Sequence, residues 1–260
     1  MQWFFLLSVA IGATVGYWFA TRKSKPKFLL QMEYWVYLPG DLMPPQDEVM
    51  TWLVQTSAAI SGREAILFSD VRLHIALVLR AKNAYLFRPD LVAPAVDATT
   101  EQLGLLEQAK SFARVRFLSE EPVPDTRYLK FLPQVARAIA TLGEGALIYD
   151  PIGERILAPS ELVKGDPGPN VRWVPAASGG HVETLGLKKR GVPEIQTEPI
   201  SADERWIVSE IVGQVARAAW EKGDLPASTV AEAFHDTFKV DLEVNGSNVA
   251  MARIHRIQGV

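Results

Sequence analysis

TRYLKFLPQVARAIATLGEGALIYD, residues 126–150, decides the fold class. Leu129, Leu132, Val135, Ala136, Ile139 and Leu142 recur at the i, i+3, i+4, i+7 spacing that gives a helix one apolar stripe. Gly143 and Gly145 end that helix, because glycine accepts the left-handed backbone a helix terminus favours. ALIYD (146–150) then reads as a buried strand, and Asp150-Pro151 starts a turn. A one-sided helix beside a buried strand predicts helices packed on a sheet.

Toward the N-terminus the same alternation continues. QMEYWVYLP (31–39) is strand-like, and Pro44-Pro45 opens a helix to about Ile60 with Val49, Leu53 and Ile60 on one stripe. AILFSD (65–70) and LHIALVLRAK (73–82) are apolar runs of strand length, and His74 inside the second reads as a hydrogen-bonded structural histidine. Thr99 and Gln102 have capping-box spacing for a helix to about Lys110, and ARVRFLS (113–119) alternates as a half-exposed strand does. The order β-α-β-β-α-β-α-β predicts an α+β fold over residues 31–163, a ferredoxin-like or α+β sandwich.

Toward the C-terminus, KGDPGPN (164–170) has the densest Pro/Gly content and marks a boundary before a smaller α+β sub-domain, residues 171–260. That unit reads as a helix plus a β-hairpin, with shorter strands at Val171–Val174 and VETLGL before them. Ser201 and Glu204 form a second capping box opening a helix to about Lys222, and a short helix precedes His235-Asp236. KVDLEV and SNVAMARIHRI flank Asn245-Gly246, the preferred pair for a two-residue turn. On that register Val244 faces Ser247, Leu242 faces Val249 and Val240 faces Met251, so Val240, Leu242, Val249 and Met251 point inward.

Ahead of all this, residues 1–21 read as a single transmembrane anchor. WFFLLSVAIGATVGYWFA (3–20) is uncharged, and as a helix its eighteen residues span roughly 27 Å. Trp3, Tyr17 and Trp18 lie at its ends, where aromatic rings sit at headgroup level. A cleaved secretory signal would carry basic residues before the run and a small-x-small site after it, and neither is present. Arg22, Lys23, Lys25 and Lys27 follow in a basic tether, residues 22–30, and place the C-terminal domain in the cytoplasm, at the bacterial inner membrane. Gly12 and Gly16 make a G-x-x-x-G pair whose spacing allows a homodimer through the anchor.

Composition removes several chemistries. A net charge of −3 without clustered Lys and Arg argues against nucleic acid as a partner. With no cysteine there is no disulfide, thiolate nucleophile or zinc–cysteine site. The four histidines lack metal-ligand spacing and no phosphate-binding glycine loop occurs, so no metal and no cofactor is expected. Ser178-Gly-Gly-His181 is the most site-like loop, with a hydroxyl, flexible N–H groups and an imidazole; a surface turn explains it more simply. Lys188, Lys189 and Arg190 read as a solvated basic run, and Glu120-Glu121 as a solvated turn.

Two segments, GALIYDPIGERILAPSEL (145–162) and ETLGLKKRGVPEIQ (183–196), carry a resemblance. Tyr149-Asp150-Pro151, and Thr184 and Gly186 followed by Gly191, Pro193, Glu194 and Ile195, resemble a bacterial α+β family of unknown function. The resemblance implies a role near toxin immunity or secretion and carries over no catalytic residues. The expected function is therefore a membrane-anchored, cytoplasm-facing adaptor that binds a protein partner. The alternatives are a structural subunit of a membrane assembly and a membrane-tethered hydrolase using Ser178 and His181.

Overall fold

The computed structural model describes residues 30–56, 70–92, 98–145, 147–245 and 248–257. The anchor and tether, with Trp3, Gly12, Gly16, Tyr17, Trp18, Arg22, Lys23, Lys25 and Lys27, lie outside them, as does most of the expected strand 65–70. Among the described residues no helix is long and apolar enough to cross a membrane.

The chain is α+β, with two sheets and four α-helices among the described residues. Strand β1 (Leu30–Leu38) leads through helix α1 (Gln46–Thr56) to β2 (Leu73–Leu79). Helix α2 (Thr100–Gln108) precedes β3 (Ser111–Ser119), and α3 (Tyr128–Leu142) precedes β4 (Leu147–Asp150) and the short β5 (Arg155–Leu157). The spatial order is β2-β3-β1-β4-β5, every neighbouring pair antiparallel. Val49 and Leu53 of α1 and the apolar stripe of α3 bury Met32, Tyr34 and Val36 on one face. Phe87, Val92 and Leu106 cover Tyr37, Phe112 and Tyr149 on the other. Covering both faces explains why β1 reads as a nearly continuous apolar run. The capping box at Thr99 forms as its spacing requires, Thr99 Oγ1 accepting from the Gln102 N–H and the Gln102 side chain from the Thr99 N–H. His74 departs from expectation: it is exposed, because β2 is an edge strand and its outer residues meet solvent.

The second half is larger than a helix and a hairpin. Strands β6 (Asn170–Ala176), β7 (Gly179–Leu185), β8 (Glu194–Thr197), β9 (Ser228–Ala233), β10 (Asp236–Asn245) and β11 (Val249–Ile257) form one sheet in the order β6-β7-β8-β11-β10-β9. Helix α4 (Arg205–Lys222) packs Ile211, Val212, Val215 and Ala219 on one face of it. In place of the short helix expected before His235-Asp236, residues 228–233 form β9. Ala231 and Ala233 turn inward beneath α4 while Val230 and Glu232 turn out, which is the two-residue period of a strand.

The last hairpin corrects the Asn-Gly register. Asn245 pairs with Val249, Leu242 with Ala252 and Val240 with Ile254, and Asn248 holds φ 62°. The shift from the expected pairing is three residues, an odd number, so β11 presents its other face: Ala250 and Ala252 are buried where Val249 and Met251 were expected. Parallel pairing of β11 with β8, Val249 against Glu194 through Ala252 against Thr197, sets this register. A contact made 55 residues away along the chain outweighs the local turn preference.

Candidate functional site

A buried charge cluster joins the two sheets, and both resembling segments contribute to it. Asp150 of the Tyr-Asp-Pro turn directs Oδ1 at the N–H groups of Ile152 (3.1 Å) and Gly153 (2.9 Å). Its Oδ2 accepts from Lys189 Nζ at 2.5 Å and Arg155 Nε at 3.1 Å. Lys189 also donates to Asp166 Oδ2 at 2.7 Å, and the Tyr34 hydroxyl donates to that same oxygen. The side chains of Lys189, Asp150 and Asp166 are fully buried.

Local sequence explains each placement. Pro133 inside α3 has no N–H, which frees the carbonyl of Leu129, and the N–H of Asp166 takes it at 3.0 Å. The glycine-rich 164–170 stretch is thus pinned to α3. Gly186 (φ 110°) and Gly191 (φ 76°) bracket a single 3-10 turn, Leu187–Arg190, both in the left-handed region where glycine is favoured. Glu194 then reaches back, accepting from the N–H groups of Gly186 (2.8 Å) and Lys188 (3.1 Å) and from the Thr184 hydroxyl (2.8 Å). The Thr-x-Gly…Gly-x-Pro-Glu spacing therefore builds a self-capped turn that points Lys189 into the protein. Tyr128 secures it further by donating its hydroxyl to the Lys189 carbonyl at 3.0 Å.

Electrostatics are balanced, with two cations facing two carboxylates. Burial pushes the Asp150 carboxyl up, but the charges of Lys189 and Arg155 outweigh it and hold it below the ordinary carboxylate value. Burial, then the negative charges of Asp166 and Asp150, hold the Tyr34 phenol well above its usual value. Glu194 is raised by burial, against the N–H groups and hydroxyl it accepts from. Sealed from solvent, this cluster fastens the sheets together. It corrects the reading of 188–190 as a solvated run: Lys188 is exposed, while Lys189 is among the most deeply buried side chains described.

Ser178 and His181 stand apart from it. Ser178 is exposed in the two-residue turn between β6 and β7, and His181 lies in β7 with Nε2 at 3.6 Å from Glu183 Oε2. No hydrogen bond joins Ser178 to His181. The glycines between them have a packing cause. A Cβ on Gly179 would lie 2.2 Å from the Ile200 carbonyl oxygen, so its absence lets residues 198–200 follow β7, with Gly180 and Ile200 exchanging backbone hydrogen bonds of 3.1 and 2.8 Å. His235 occupies the β9–β10 turn, and its neighbour Asp236 pairs with Arg256 at 2.5 Å. Among the described residues no three His, Asp or Glu side chains converge on a metal position.

Following β7 draws β8 away from β11 beyond Thr197, and a cleft of about 410 Å³ opens between them. Ile200, Ile207, Phe238 and Ile254 supply its apolar lining, and Glu198 meets Arg253 Nε across it at 2.8 Å. Exposed aromatics lie on neighbouring elements: Trp206, 67 % exposed, directly precedes Ile207, and Phe234, 68 % exposed, sits in the β9–β10 turn. Phe234 (φ 52°) and His235 (φ 71°) both hold the left-handed backbone of a two-residue type I′ hairpin turn, a conformation that costs roughly 1–3 kcal/mol per residue outside glycine. Comparison with protein-family models, with curated proteins and with solved structures finds no match to this chain.

Proposed function

We propose that this chain is a membrane-tethered docking module whose domain faces the cytoplasm and presents the cleft end of its second sheet to a protein partner. The observation that carries the proposal is the gathering of an apolar cleft, exposed Trp206 and a strained, exposed Phe234 at that end. Its position suits the tether. The chain enters β1 beside Gln31, which shares a second cleft with Pro193 and Asn248 at the start of β11. The eight steps from Val249 to Ile257 cover about 27 Å at about 3.4 Å each, so the docking end lies that far along β11 from the end beside Gln31. Tethering raises its effective concentration toward other membrane proteins without any new contact. We also read the first sheet with α1 and α3 as ferredoxin-like, a reading supported by the order β4-β1-β3-β2 and the β-α-β-β-α-β path once α2 is set aside as an insertion.

The test is co-purification of the tagged full chain from detergent extracts. A stoichiometric protein partner is expected with the parent and with Ser178→Ala/His181→Ala. It is expected to be lost from Trp206→Ser/Phe234→Ser with the thermal transition preserved. Retention of the partner by the surface variant, or its loss from the Ser178/His181 variant alone, sinks the docking reading.

A further inference from the structure

The cleft contains more than apolar surface. Residues Arg253–Ile257 of β11 pair with β10 on one side, from Asp241 against Arg253 to Thr237 against Ile257. On the other side their ladder with β8 stops at Ala252 against Thr197, and among the described residues no strand takes its place. A strand edge inside a cleft offers backbone donors and acceptors to another extended chain. The two outer edges of this sheet are each interrupted. The Gln214 side chain bonds both the carbonyl (2.7 Å) and the N–H (3.3 Å) of Glu232 in β9, and β6 carries Pro175.

Resting on the docking reading above, we infer that the partner supplies an extended, acidic segment of about five residues that adds to β11 at Arg253–Ile257. The free backbone edge selects a strand, since a helix has no main-chain groups to offer it. The apolar lining at Ile200, Ile207 and Ile254 selects apolar side chains at alternate positions of that strand. Charge selects its sign. The open segment reads Arg-Ile-His-Arg-Ile; Arg256 is held by Asp236 at 2.5 Å, and Glu204 also lines the cleft. The cations open to an incoming carboxylate are therefore Arg253 and Arg205, whose guanidinium lies over the Trp206 indole, 4.6 Å from the ring centroid, with no carboxylate partner among the described residues. The Glu198–Arg253 pair crosses the opening with both side chains more than half exposed, so an incoming carboxylate exchanges for Glu198 readily.

The absence of cysteine permits a reversible test. Glu198→Cys/Arg253→Cys in the detergent-solubilised full chain closes the cleft when oxidised and reopens it when reduced. The probe is a fluorescein-labelled seven-residue peptide alternating valine with glutamate, beside a twin with lysine for glutamate. Saturable binding to the parent chain, which keeps Arg253, is expected by anisotropy for the acidic peptide, about tenfold weaker for the lysine twin, with amide-exchange protection appearing at 253–257. In the double-cysteine variant, once thiol titration shows that the disulfide has formed, binding is expected to vanish on oxidation and return with reductant. Equal binding in both redox states, no binding of the acidic peptide, or protection elsewhere overturns strand addition. A protein partner that still depends on Trp206 and Phe234 would then leave the docking reading standing alone.

Discussion

Replacing Lys189 with methionine isolates the contribution of the charge cluster. The substitution keeps most of the side-chain volume but leaves Asp150 and Asp166 facing Arg155 alone, so a fully buried site goes from neutral to a net negative charge. Breaking a buried ion pair from one side costs about 3–5 kcal/mol. For a domain of this size that is a fall in Tm of roughly 6–20 °C. The pH dependence carries the diagnosis. In the parent, Asp150 is held below its ordinary value, so its contribution is complete above about pH 4 and fades as pH falls through the depressed folded value. In Lys189→Met the Asp150 carboxyl loses the Lys189 charge that opposed its burial, so its folded value rises and the folded state takes up protons more readily than in the parent. The variant therefore gains stability relative to the parent as pH is lowered from about 7.5 to about 4, close to the unfolded carboxyl value. Urea unfolding followed by tryptophan fluorescence, with the full chain in a fixed detergent, measures both curves. Adding Asp166→Asn removes the excess charge and is expected to recover part of the loss. A loss under about 1 kcal/mol, or a gap unchanged between the two pH values, refutes the assignment of Lys189 as the fastener.

Three further outcomes are expected. Gly153→Ala places a Cβ 2.5 Å from Asp150 Oδ2 and 3.1 Å from Arg155 Nε, and is expected to lower stability by about 1–3 kcal/mol in the same unfolding assay. Phe234→Asn/His235→Gly gives the β9–β10 turn its preferred residues, so a gain of about 1–3 kcal/mol should accompany weaker partner retention; a gain in both would contradict a docking role for Phe234. A single cysteine at exposed Asp224 should resist membrane-impermeant maleimide in intact cells and react after lysis; labelling in intact cells would reverse the topology drawn from Arg22, Lys23, Lys25 and Lys27.

Much of the first sheet was legible because its signals are local. The stripe of α3, the apolar run of β1 and the capping box at Thr99 each depend on residues within a few turns, and each lies within one or two residues of its expected bounds. The fastener was not legible, since Lys189 finds its carboxylates 39 and 23 residues away, and a basic run looks the same in solution or in a core. Two signals pointed to it: a proline within a strong helical stripe, and paired glycines five residues apart ahead of Pro193-Glu194. The final hairpin misled for the opposite reason. Asn245-Gly246 is a strong local preference, yet the parallel contact with β8 and the small alanines beneath α4 determine which face of β11 turns inward. The cleft was invisible in sequence because it arises where two strands part, and only the absent Cβ of Gly179 hints at the cause.

The most direct test of the docking role is site-specific photo-crosslinking in living cells, with a benzophenone side chain placed in turn at Trp206, Phe234 and Tyr85. All three are well exposed, but Tyr85 belongs to the first half of the chain, away from the cleft. The account predicts one discrete adduct of the same mass at Trp206 and Phe234, none at Tyr85, and loss of that adduct when residues 1–20 are deleted. An adduct at Tyr85 alone, or adducts unaffected by the deletion, would contradict a membrane-tethered module that docks through the end of its second sheet.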